Sequence, residues 1–302
     1  MRTAYPLRVK NSVTVHAPAK INLALRVGSP RPDGFHPLNT VFCSLDLYDV
    51  IDVEQADELS LELVGCDLEV DEHNLALRAA RALQTRTGTN HGARITITKT
   101  IPVAGGMAGG SANAAGVLVG LNELWDLGLT TSELAELGSE LGSDVPFCLM
   151  GGLAIGTSRG ENLVPIRPGF FQSWVLIVND EGMSTPAVFK KYDELRPEPH
   201  EPASIEEIVA ALQGSSIDGL AGLLVNDLAE PAFHLRPDIR RTFERAHGSG
   251  IATVLSGSGP TIAILCTSDQ EADVLAEGLR NDGMRVLRAV GPAVGTHIVR
   301  SN

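Results

Sequence analysis

The stretch Pro102-Val103-Ala104-Gly105-Gly106-Met107-Ala108-Gly109-Gly110-Ser111-Ala112-Asn113-Ala114-Ala115 decides how this chain is read. Four glycines fall within six residues. Glycine loses the most backbone entropy inside a helix or strand, so such a run serves where the chain turns through positive φ or approaches another group closely. Val117, Leu118, Leu121, Leu124 and Trp125 continue at helical spacing, and Ser111 offers a capping hydroxyl. Exposed N–H groups at the positive end of a helix bind phosphate. Two common phosphate motifs are excluded. Gly110 is followed by Ser111 and Ala112 rather than the Lys-Ser/Thr of a Walker loop, and Met107 stands where the dinucleotide fingerprint needs its second glycine. Backbone amides and the helix dipole would therefore carry the anion. A surface loop before a packing helix has the same local pattern, so the rest of the chain has to choose.

Outside this stretch, composition narrows the classes. The 302 residues suggest about two domains. A net charge of −13 argues against nucleic-acid or anionic-membrane partners and leaves anionic small ligands open. Cys43, Cys66, Cys148 and Cys266 are scattered with no C-x-x-C pair, as expected of buried, reduced thiols. No signal-peptide core follows Arg2, Arg8 and Lys10, and no run of about 18 apolar residues exists, so a cytoplasmic protein without a membrane span is expected.

Periodicity organises the chain. Residues 13–27 read as a strand in which Ile21, Leu23, Leu25 and Val27 alternate with Lys20, Asn22, Ala24 and Arg26, placing Lys20 and Asn22 on one face. Residues 28–37 form a turn-rich loop, followed by strands near 39–54 and 58–64. Asn74 caps a helix to about residue 86, and a strand at 93–99 leads into the glycine loop. A helix capped by Thr131 or Ser132 stops at Gly142. Val145 before Pro146 is expected to be extended, with a strand over 147–157. Pro and Gly at 165–169 mark a domain change, dividing 1–166 from 167–302. Beyond it come a strand at 174–178, helices near 185–192, 204–213, 217–229 and 236–247, strands at 251–256 and 260–267, a helix at 269–281, and strands at 284–290 and 295–299. That order suggests a split βαβ arrangement.

Three further segments could supply chemistry. Lys20, between Ala19 and Ile21, can stabilise developing negative charge if its face lines a cleft, although a solvated strand face is the ordinary alternative. Asp144, between a helix stop and Pro146-Phe147, can accept an alcohol proton, although Asp also forms local turns. A Lys20–Asp144 pair would be mutually stabilising. Leu255-Ser256-Gly257-Ser258-Gly259-Pro260-Thr261 is a second small-residue loop that could back the first or simply close a hairpin.

Taken together, these segments resemble the GHMP kinase superfamily over nearly the whole chain, with Pro102–Asn113 at its ATP loop and Leu255–Pro260 at its C-terminal glycine turn. Ala17-Pro18-Ala19-Lys20-Ile21-Asn22-Leu23, Arg31-Pro32-Asp33-Gly34-Phe35-His36, Leu141–Phe147, Asn74-Leu75-Ala76 and Ser184–Phe189 are most similar to its isoprenoid branch, which phosphorylates a cytidine-diphosphate-linked methylerythritol.

The resemblance implies a two-lobed α+β fold. Its N-terminal mixed α/β lobe (1–166, ribosomal protein S5 domain 2-like) would bind ATP and carry catalysis, and its C-terminal ferredoxin-like lobe (167–302) would complete the substrate site. Asp144 would be the general base and Lys20 its partner. Asn22 would position the polyol, His36 would read the cytosine edge, Phe35 and Phe189 would sandwich the base, and Thr185 would touch the same pocket. The loop from Pro102 to Ala112 would hold the ATP phosphates, and Asn74, Leu75 and Ala76 would border adenine. The chain departs from the family pattern at Ala108, which would demand an ordinary φ, at Ala112, which lacks a hydroxyl, and at Phe35 in place of a tyrosine. No acidic magnesium ligand stands out, so Mg2+ would be held by ATP phosphates with Ser111. The expected assembly is a monomer or weak homodimer. A homoserine- or mevalonate-type kinase and a catalytically silent nucleotide sensor remain as alternatives.

Overall fold

The computed structural model describes residues 11–302; Arg2, Arg8 and Lys10 lie outside them. The first half supplies β1 (Ser12–Val27), β2 (Leu38–Ala56), β3 (Leu59–Val64), α1 (Leu75–Thr87), β4 (Gly92–Thr98), α2 (Gly109–Leu124), α3 (Thr131–Leu141), α4 (Val145–Met150), β5 (Leu153–Ser158) and β6 (Asn162–Ile166). The second supplies β7 (Gln172–Ile177), α5 (Thr185–Leu195), α6 (Glu206–Gln213), a 3₁₀ turn (Ile217–Leu220), β8 (Val225–Asn226), α7 (Ala229–Leu235) and α8 (Pro237–Ala246). It ends with β9 (Ala252–Leu255), β10 (Ile262–Cys266), α9 (Asp269–Asn281), β11 (Val286–Gly291) and β12 (His297–Ser301).

Two sheets organise these elements. The larger runs β12-β1-β2-β4-β3, with β5 and β6 continuing from β2 and β8 beside β1. The smaller runs β11-β7-β10-β9 with antiparallel pairing throughout. With α9 crossing from β10 to β11, this is the ferredoxin-like split βαβ order. The last strand belongs to the other sheet: β12 pairs with β1, so the large sheet draws on both halves of the chain.

Helix α2 fixes the centre of the molecule. Its small residues let it lie close on the large sheet. A Cβ added at Gly116 would meet Ile51 Cδ1 at 2.5 Å, and one at Gly120 would meet Val53 Cγ2 at 3.1 Å. This approach buries α2 along most of its length. Side-chain caps define its neighbours: Asn74 accepts from the Ala76 N–H at the start of α1, and Thr130 with Glu133 forms a capping box on α3.

Several elements differ from the periodic expectation. The alternation in β1 breaks at a bulge between Asn22 and Ala24. Beyond it the facing reverses, so Leu25 joins Lys20 and Asn22 on the cavity side. Val145 is the first residue of a helix, not extended, and the strand begins at Leu153 rather than 147. Pro146 suits the first helical turn because its missing N–H would have no partner there, and burial of Val145, Phe147 and Cys148 overrides the pre-proline preference. Strand β6 was hidden by Pro165, which an edge strand tolerates. The single helix expected over 217–229 is a 3₁₀ turn, a two-residue strand and the start of α7. The helix α3 cap is Thr130, one residue before those expected.

All four cysteines are free; Cys43, Cys148 and Cys266 are buried, whereas Cys66 is only partly so. Burial pushes the Cys266 thiol up to about 11. Among the described residues no helix is long and apolar enough to cross a membrane.

Candidate active site

A cavity of about 840 Å³ lies where β1, the glycine loop, α4 and α5 converge. At its centre Lys20 Nζ stands 3.4 Å from Asp144 Oδ2. Lys20 is only 4% exposed, so the solvated-strand alternative is excluded. The lysine is aimed by a chain of hydrogen bonds. The Thr40 hydroxyl donates to the Ala24 carbonyl (2.7 Å), so its oxygen accepts from Asn22 Nδ2 (2.8 Å). That orients Asn22 Oδ1 to accept from Lys20 Nζ at 2.8 Å. The Asn22 side chain lines the cavity with its amide engaged on both sides. Asp144 precedes α4, yet its side chain makes no capping bond to its own helix, which leaves the carboxylate to the cavity.

The glycine loop is shaped by positive φ at Ala104 (49°), Gly106 (76°) and Ala108 (59°). Ala108 thus takes the left-handed conformation, contrary to the ordinary φ expected of an alanine there. It, not Ser111, is the N-cap of α2; Ser111 lies in the first turn and lines the cavity. The loop is pinned from below. The Lys20 N–H donates to the Met107 carbonyl (3.2 Å), the Ser256 hydroxyl to the Gly106 carbonyl (3.0 Å) and the Thr261 N–H to the Gly105 carbonyl (3.3 Å). A Cβ at Gly106 would sit 2.1 Å from the Ser256 carbonyl oxygen, so only glycine admits this approach. The second small-residue loop therefore backs the first rather than merely closing a hairpin.

Of the stretch expected to bind ATP, Ala104, Gly105, Gly106, Ala108, Gly109, Gly110 and Ser111 line the cavity. Met107 and Ala112 are fully buried, and Pro102 and Val103 lie off the lining. Leu75 borders the cavity, whereas Asn74 caps α1 and Ala76 is buried behind it.

The far end gathers Phe35, His36, Thr185 and Phe189. The His36 and Phe189 ring centroids are 4.8 Å apart, and the Arg159 guanidinium lies 5.0 Å from the Phe35 ring centroid. Thr185 and Ser258 share a hydroxyl–hydroxyl bond of 2.8 Å. His36 Nε2 is 2.8 Å from Asp193 Oδ1.

Sequence reasoning missed four contributors. Asp193 stands one helical turn after Phe189, a spacing that could have revealed it. Arg159 reaches Phe35 because Leu38 pairs with Ser158, a tertiary register with no local signal. Asp49 and Lys99 form a buried ion pair below the loop. Asp49 also accepts from the Thr100 and Ile101 N–H groups (2.7 and 2.9 Å) and from Asn113 Nδ2 (2.7 Å), tying the loop's start to α2.

A glycine loop at a helix N-terminus, an aimed lysine–carboxylate pair and an aromatic pocket in one cleft fit the class of small-molecule phosphotransferases. Residues 74–152 match the GHMP kinases N terminal domain and residues 205–284 the GHMP kinases C terminal domain. The chain belongs to the GHMP kinases. It is 46% identical over 303 residues to a Mycolicibacterium smegmatis protein named 4-diphosphocytidyl-2-C-methyl-D-erythritol kinase, covering 95% of this chain and 92% of that one. A Mycolicibacterium gilvum protein of the same name is 46% identical, with 95% and 93% covered. A crystal structure of 4-(cytidine 5'-diphospho)-2C-methyl-D-erythritol kinase superposes with a TM-score of 0.78 at 32% identity, covering 93% of this chain and 99% of that one.

Proposed function

We propose that this chain is an ATP-dependent kinase that phosphorylates the 2-hydroxyl of 4-diphosphocytidyl-2-C-methyl-D-erythritol, a step in isoprenoid precursor synthesis. The observation that carries the reading is the Lys20–Asp144 pair, 3.4 Å apart, set between the glycine loop and the Phe35–His36–Phe189 pocket of one cavity.

In this reading the segment 1–166 supplies the donor loop and catalytic pair, and 167–302 completes the acceptor pocket. The amides of the loop from Pro102 to Ala112 and the N-terminus of α2 hold the ATP phosphates, with Met107 and Ala112 supporting from within; Asn74, Leu75 and Ala76 border adenine. Asp144 takes the proton of the acceptor hydroxyl as its oxygen attacks the γ-phosphorus. The bond to the bridging oxygen breaks, and ADP carries the charge away. Lys20 steadies the forming alkoxide and the γ-phosphate. Asn22 acts chiefly by aiming Lys20, because both ends of its amide are taken; its reach to the polyol runs through that lysine. Phe35 and Phe189 hold cytosine by its faces, His36 by its edge, and Thr185 contacts the adjoining diphosphate. The partner in this reading is the small-molecule acceptor, with neither nucleic acid nor membrane, and the protein is a cytoplasmic monomer or weak homodimer.

The donor set suits magnesium carried in on ATP. No three His, Cys, Asp or Glu side chains cluster among the described residues, and Asp49 is saturated by its own donors. The Ser111 hydroxyl lines the cavity, and Mg2+ accepts a hydroxyl, phosphate oxygens and water as ligands. Bound there, the ion would neutralise charge on the β- and γ-phosphates.

ADP release should be measured with the cytidine-diphosphate-linked alcohol, free methylerythritol, homoserine and mevalonate. Turnover of the first alone supports the reading. Turnover of homoserine or mevalonate instead, or of none of them, refutes it in favour of another acceptor or a silent nucleotide sensor.

A further inference from the structure

We propose that Asp193 is a specificity-determining residue that selects cytosine over uracil in the acceptor nucleotide; the inference rests on the nucleotide-linked acceptor proposed above. Asp193 lies one turn after Phe189 on α5, lines the same cavity, and keeps 39% of its side chain exposed. Its Oδ1 is 2.8 Å from Nε2 of the buried His36. A carboxylate only accepts, so Nε2 is the donor in this bond, and Nδ1 of a ring that carries that one proton accepts. Asp193 Oδ2 has no polar partner among the described residues.

With the ring so protonated, the side-chain atoms that this pair has left to offer, Asp193 Oδ2 and His36 Nδ1, both accept. Cytosine carries an exocyclic amino group that donates, and carboxylate acceptance from that amino group is an established pairing. Uracil has a carbonyl at the same ring position. Placed opposite the Asp193 carboxylate that carbonyl is left unpaired and repelled, which penalises the wrong base more than the right one is rewarded. The bond to Asp193 also holds the His36 ring beside Phe189, so one carboxylate both selects the base and sets the ring that reads it.

The test is the ratio of kcat/KM for cytidine- and uridine-diphosphate-linked methylerythritol in the wild type, Asp193→Asn and Asp193→Ala. Calorimetric dissociation constants for CDP and UDP accompany it. The ratio is internal to each protein, so loss of folded material cancels. The wild type should favour the cytidine acceptor by about tenfold or more. Asp193→Asn, whose amide can donate to the uracil carbonyl, should bring the ratio to within about threefold or invert it. Asp193→Ala should narrow it by weakening the cytidine acceptor. An unchanged ratio, with both substrates losing equally, overturns the proposal and leaves Asp193 a structural role; so does a wild type without preference. If the wild type turns over neither acceptor, the proposed function fails, and the CDP and UDP affinities of the three proteins still decide base selection.

Discussion

The two ends of the cavity, in the proposed function a donor end and an acceptor end, are built by opposite means. The donor end is mostly backbone: positive-φ turns at Ala104, Gly106 and Ala108, carbonyls pinned by Ser256 and Thr261, and a helix N-terminus above a buried Asp49–Lys99–Asn113 network. The acceptor end is side chains drawn from four segments: Phe35 and His36 after β1, Arg159 between β5 and β6, Phe189 and Asp193 on α5, and Ser258 before β10. A triphosphate presents the same charges in every ATP enzyme, so a rigid main-chain cradle suffices. A particular alcohol must be chosen by shape and hydrogen bonding, which only side chains vary. Lys20 and Asp144 stand where the two schemes meet.

That contrast can be broken experimentally, starting at the junction. Asp144→Asn should lower kcat by about 10²- to 10⁴-fold while ATP affinity holds. A steady-state rate within about tenfold of wild type would remove Asp144 as the base. The next largest effect tests the donor floor. Asp49→Ala strands the Lys99 ammonium beneath α2 and should cost about 3–5 kcal/mol of stability in denaturant unfolding. A loss below about 1 kcal/mol would mean that solvent reaches the network. Gly106→Ala adds a Cβ against the Ser256 carbonyl at a φ of 76° and should cost about 1–3 kcal/mol, with a raised KM for ATP. Unaltered ATP kinetics would show that the loop moves on binding. Smallest is Phe189→Ala, which removes one stacking face and should raise the acceptor KM about tenfold with ATP KM unchanged. Equal effects on both substrates would erase the division between the two ends.

The glycine loop and its helix were largely legible because their determinants are local. Clustered glycines, a following apolar helix and the strand before them all lie within one stretch of chain. Even so, the identity of the cap and the φ of Ala108 escaped, because Ser256 and Thr261, about 150 residues away in sequence, hold the loop. The phase of β1 was lost at a bulge that only its pairing with β2 specifies. The helix at Val145 was missed because a proline that looks like a stop also suits a helix start.

What the sequence determined by itself is the set of parts: the glycine loop, its helix, Lys20, Asp144, and the Phe35-His36 and Thr185–Phe189 segments, each marked by residue types whose backbone or chemical needs are intrinsic. What tertiary structure decided is who meets whom. It brought Lys20 to Asp144, 124 positions further along the chain, set Asp193 on His36, folded Arg159 over Phe35, and returned β12 to the first sheet. The physical reason is that a propensity acts over a few residues. The pairing of distant side chains depends instead on strand register and on how closely small residues such as Gly116 and Gly120 let a helix approach its sheet.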